Sequence, residues 1–134
     1  MKTQIQTTGF PVIKYQARVT EIGPLVDEFI EHGILVFFGR DAPEELAEFS
    51  ILHDGHELVE PLQVGDKVFL GEESFTILAL GEVANTNFAS LGHLILKFNG
   101  LDTPEMPGDV CVEQKPIPVI IEGTEIRVEG SPNT

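Results

Sequence analysis

Gly65-Asp66-Lys67-Val68-Phe69-Leu70-Gly71-Glu72-Glu73-Ser74-Phe75-Thr76-Ile77-Leu78-Ala79-Leu80 decides the fold class. Apolar and polar residues alternate within 67–70 and 74–80, and Gly punctuates the stretch, which is the pattern of short antiparallel strands rather than of helix. The Gly65-Asp66 pair launches the first of them from a tight turn. Gly adopts backbone conformations that other residues resist, and Asp can bond back to its own chain.

The same signal recurs along the chain. Gly108-Asp109 precedes Val110-Cys111-Val112, and Gly123-Thr124 precedes Glu125-Ile126-Arg127-Val128, so one turn chemistry is used three times. Further strands are expected at 15–22, 34–38, 49–53, 93–98, 110–113, 119–121 and 125–128. Helix is expected only at 41–48, with Asp41 as N-cap and Pro43 in the first turn, and in a short piece between Val83 and Leu91. Many short strands with one or two short helical segments predict an all-β, closed or partly open antiparallel barrel, since closure removes exposed strand edges.

The length of 134 residues suits one domain, placed at 14–129, with an N-terminal extension at 1–13 and a polar tail at 130–134. Eight Lys and Arg stand against 22 Asp and Glu, a formal charge of -14. Such a surface repels nucleic acid and anionic membranes and favours a basic protein partner. Cys111 is the sole cysteine, which excludes an intrachain disulfide and fits a cytoplasmic location. The longest apolar run, 34–38, is too short for direct membrane insertion, and residues 1–10 lack the apolar centre of a signal peptide.

Chemistry concentrates on the histidines. His53 ends an apolar strand just before Asp54-Gly55, where it is either a hydrogen-bonded strand-end residue or a nucleophile. A neutral imidazole is nucleophilic near pH 7 and forms a phosphoramidate labile enough to pass its phosphoryl group on. His93, after Leu91-Gly92, is either a core histidine or a second imidazole that binds phosphate or orients the first. His56 stands three residues beyond His53, which in extended chain puts the two on opposite faces and argues against a shared metal. His32 reads as a turn residue, Glu44, Glu45 and Glu48 as a solvated acidic face, and Cys111 as a small buried apolar residue. Ser50 lacks the setting of a hydrolase nucleophile. No Gly-rich nucleotide loop occurs, and no cofactor or metal is expected.

The stretches Ala42-Pro43-Glu44-Glu45-Leu46-Ala47-Glu48-Phe49, His53, Leu91-Gly92-His93 and Phe98-Asn99-Gly100-Leu101 resemble the glucitol/sorbitol-specific IIA component of the bacterial sugar phosphotransferase system. The likeness runs from about Tyr15 to Val128. It implies a barrel-like fold and a phosphocarrier in which His53 takes a phosphoryl group from HPr and hands it to a cysteine of the IIB component, alongside the membrane permease IIC. That role requires a donor to reach His53. The family pattern has a second histidine two residues after the active one, where this chain has Gly55. A regulatory or interaction module with a structural His53 is the alternative from another class.

Overall fold

The computed structural model describes residues 11–132, so most of the expected N-terminal extension and the end of the tail lie outside the described residues. Eight strands form the wall: β1 (Val12–Ile22), β2 (Ile34–Phe38), β3 (Ile51–His53), β4 (Lys67–Leu70), β5 (Glu73–Leu80), β6 (Leu94–Lys97), β7 (Asp109–Val112) and β8 (Glu125–Gly130). They close in the order β1-β3-β2-β6-β7-β5-β4-β8, with β8 paired back onto β1. The opening stretch of the sequence forms the β4–β5 hairpin, with Lys67 opposite Thr76 and Leu70 opposite Glu73.

The barrel is mixed. β2 pairs with β3, and β6 with β7, in parallel, while the other six pairings are antiparallel. Alternation announces a strand but not its direction. A helix, α2 (Glu44–Ala47), lies within the connection that returns the chain for the β2–β3 pairing. Two other short helices are α1 (Val26–Ile30) and α3 (Ala84–Leu91). Among the described residues, no helix is long and apolar enough to cross a membrane.

Three expectations at the level of elements are corrected. Residues 119–121 are not a strand. Pro116 and Pro118 interrupt that run, Ile117 and Ile120 turn to the core, and Val119 and Ile121 are 88% and 63% exposed, a spacing of three rather than two. Asp41 does not cap α2, because the helix begins later with Pro43 at its N-cap. α1 was not expected, although Pro24 followed by Asp27 and Glu28 is a helix-start signal.

The interior is a single apolar cluster that includes Leu35, Phe37, Ile51, Phe75, Ile77, Leu96 and Val128. Each such side chain contributes on the order of 1.5–3 kcal/mol by leaving water. The repeated turns share one bond. Asp66 Oδ2 accepts from Gln63 N, Asp109 Oδ2 from Met106 N, and Thr124 Oγ1 from Ile121 N, each three residues back. Two of these acids also meet buried or half-buried lysines, Lys14 with Asp66 and Lys97 with Asp109, both at 2.9 Å.

Candidate functional site

His53 is the last residue of β3, in register with Val19 of β1, and alternation turns its ring inward beside Ile51. The imidazole is 1% exposed, against the expectation of a histidine open to a donor. Both ring nitrogens are engaged. Nε2 lies 2.9 Å from the Gly92 carbonyl oxygen, and the Gly55 N–H donates to Nδ1 at 3.1 Å. A carbonyl only accepts, so the proton is on Nε2 and the lone pair on Nδ1.

The two walls over the ring differ in stiffness. Gly92 is the left-handed C-cap that follows α3, φ 65°, and its N–H donates to Phe88 O, with Gly39 N–H to Leu91 O beside it. Gly55 lies in the irregular segment between β3 and β4, next to exposed His56 and Glu57. The Gly55 side therefore opens at lower cost, and it is the side that covers the lone pair.

A bulge places the third wall. The β1–β8 register shifts between Ile13 and Tyr15, so Lys14 and Tyr15 both point inward. The Tyr15 ring meets His53 edge-on, with centroids 5.8 Å apart, and packs on Phe88 of α3. Burial, then the nearby Asp54 charge, raise the Tyr15 hydroxyl to about 12, so it stays protonated at neutral pH. Asp54 pins the strand end by exchanging backbone and side-chain hydrogen bonds with Arg18.

Burial lowers the pKa of His53 despite the opposing pull of the Gly92 carbonyl and Asp54. The charged form is disfavoured in the fold. The unfolded chain, with an imidazole near 6.5, then binds more protons than the native state. This contribution to stability is complete above the unfolded value and is lost as pH falls through it toward the folded value. Chemical denaturation from about pH 7 to pH 5 should show that decline, and His53→Gln should flatten it.

His93 lies elsewhere than a direct partner of His53. It precedes β6, stacks on Phe38 with centroids 4.1 Å apart, and bonds the Phe37 carbonyl through Nδ1. The group that holds the His53 ring is the backbone of the preceding residue, Gly92. A carbonyl has no sequence signal, although the Leu91-Gly92-His93 stretch marked the region. His56 is exposed, with Nδ1 bonded to the Asp54 carbonyl. Glu44 and Glu45 are exposed on α2 as expected. Cys111 is fully buried, and burial pushes its thiol pKa up, away from nucleophilic character.

Gly92 tolerates no side chain. A Cβ there would lie 2.8 Å from His53 Cε1 and 2.9 Å from the Gly39 nitrogen, on backbone that L-residues resist. Gly92→Ala should cost about 1–3 kcal/mol and shift the ring's Nε2–H resonance, with both read by denaturation and nitrogen NMR. Unchanged stability and an unchanged resonance would contradict this packing.

The family model described as "PTS system glucitol/sorbitol-specific IIA component" matches residues 14–127. A Shigella flexneri protein named PTS system glucitol/sorbitol-specific EIIA component is 36% identical over 117 residues, covering 87% of this chain and 94% of the relative. The Escherichia coli (strain K12) protein of the same name matches to the same extent. A crystal structure of a PTS system IIA component from Enterococcus faecalis V583 superposes with a TM-score of 0.72 at 29% identity, covering 83% of this chain and 96% of that one.

Proposed function

The chain belongs to the PTS glucitol/sorbitol-specific IIA component family, and from that premise we propose that His53 is its phosphoryl acceptor, charged by phospho-HPr and discharged to the IIB component. Membership carries the phosphocarrier role in sugar transport. The observation that supports His53 is its fixed tautomer: Nε2–H is tied to Gly92 O, so the lone pair stands on Nδ1.

The step balances as a simple exchange. When the 55–58 segment swings out, Nδ1 attacks the phosphorus of the donor phosphohistidine in line, the donor N–P bond breaks, and its electron pair returns to the donor imidazole. Nε2 keeps its proton on Gly92 O throughout, which stabilises positive charge on the phosphorylated ring. A cysteine thiolate of IIB then attacks the phosphorus, and the electron pair of the broken N–P bond returns to Nδ1. His93, bonded to Phe37 O, steadies the backbone that presents the Gly92 carbonyl. The acidic surface suits a basic donor face, so transfer should slow with salt.

Burial of His53 with both nitrogens satisfied also favours a second reading, a barrel module in which this residue is only structural. Incubation of the protein with phosphoenolpyruvate, Enzyme I and HPr separates them. Acid-labile phosphate on the intact chain supports the carrier. Its absence on folded protein, with a known IIA component labelled in parallel, supports the module.

A further inference from the structure

A cavity of about 330 Å³ opens beside the carrier histidine, lined among others by Tyr15, Arg40, Gly55, His56, Ser90 and Gly92. Tyr15, Gly55 and Gly92 are also the groups that touch the His53 ring, so the inner wall of the cavity is the shell of the imidazole.

Arg40 stands apart from the other cations. Of the eight Lys and Arg, all but Lys2 fall within the described residues. Lys14, Lys97, Lys115 and Arg127 pair with carboxylates, Arg18 donates to the Gly123 carbonyl, and Lys67 donates to Thr76. Arg40 is exposed, makes no side-chain hydrogen bond or ion pair among the described residues, and lines this cavity. In a chain of charge -14, a guanidinium at the mouth of the site without a partner among the described residues is free to meet an arriving anion.

Several groups of the site repel a phosphoryl group. The Gly92 carbonyl and the C-terminal end of the eight-residue helix α3 present negative partial charge, and Asp41 lines the same cavity. A phosphoryl group brings about -1.5 to -2. Its transfer needs a cation, and the planar guanidinium fork matches phosphoryl oxygens better than an ammonium does.

We infer that Arg40 is the phosphoryl-binding side chain of this site, closing on the oxygens of the group as it arrives at His53 and leaves it. The inference rests on the carrier reading. Arg40→Ala and Arg40→Lys in the full chain, assayed for uptake from phospho-HPr over a range of donor concentrations, test it. Because Arg40 is exposed and unpaired, both variants should keep wild-type thermal unfolding. Arg40→Ala should lower the maximal rate roughly 100-fold and shift the end-point distribution of phosphate back toward the donor, and Arg40→Lys should recover part of both. Wild-type rate and distribution in Arg40→Ala would overturn the inference while leaving the carrier intact. A raised KM with an unchanged maximal rate would also overturn it, since that marks donor docking only. A wild-type chain that takes no phosphate sinks the carrier reading and this inference together.

Discussion

Folded His53→Gln protein is expected to take up no phosphate from phospho-HPr above background, a loss of about 10⁴-fold or more, as for removal of a covalent nucleophile. Glutamine is the informative replacement. Its carboxamide N–H₂ can still donate to the Gly92 carbonyl, so the buried acceptor is not orphaned and the barrel should persist. What disappears is the ring lone pair on Nδ1. The remaining histidines of the region are not expected to substitute: His93 is tied to Phe37 O and stacked on Phe38, and exposed His56 is bonded through Nδ1 to the Asp54 carbonyl, which leaves its lone pair on the other ring nitrogen, Nε2. Intact mass with peptide mapping reads the result. A folded His53→Gln chain that labels like wild type would remove His53 from the mechanism.

The largest effect on stability is expected at Lys14 and Asp66. Their charged ends are 2.9 Å apart, with the side chains 0% and 3% exposed. The Lys14 ammonium also donates to Pro61 O, and Asp66 Oδ2 also accepts from Gln63 N. Lys14→Met alone strands a buried carboxylate and should cost about 3–5 kcal/mol, and Asp66→Asn alone strands a buried ammonium at a similar cost. The double variant should be more stable than the sum of the two losses predicts, because neither charge is then left without its counterpart. Urea denaturation of the four proteins gives the coupling directly. Strictly additive losses would mean that the pair does not hold the β1 bulge to the start of β4 as a unit.

How far the sequence could be read follows from which interactions are local. Eight strands announced themselves because alternation and turn glycines are local signals, and the Asp66, Asp109 and Thr124 turns formed as their residue types predict. The parallel β2–β3 and β6–β7 pairings did not, since strand direction depends on distant partners. The bulge at Lys14 is invisible for a related reason. A lysine in an alternating strand reads as outward, whereas this one is held inside by Asp66, 52 residues away, and by the Pro61 carbonyl. In the candidate site, His53 was singled out by its strand-end context together with the family resemblance. Its burial was not, because the covering groups, Tyr15, Gly55 and Gly92, come from three separate segments. Arg40 carried no motif at all; it stands out only once every other described cation is seen with its partner.

The phosphorus–nitrogen bond itself can be observed. Protein carrying nitrogen-15 histidine, phosphorylated through HPr and kept alkaline, would be observed by phosphorus and nitrogen NMR. Phosphorus coupled to Nδ1 of His53 is expected, with Nε2 still protonated and hydrogen-bonded. Phosphorus on Nε2 would contradict the tautomer set by Gly92, and phosphorus on any residue other than His53 would contradict the carrier site.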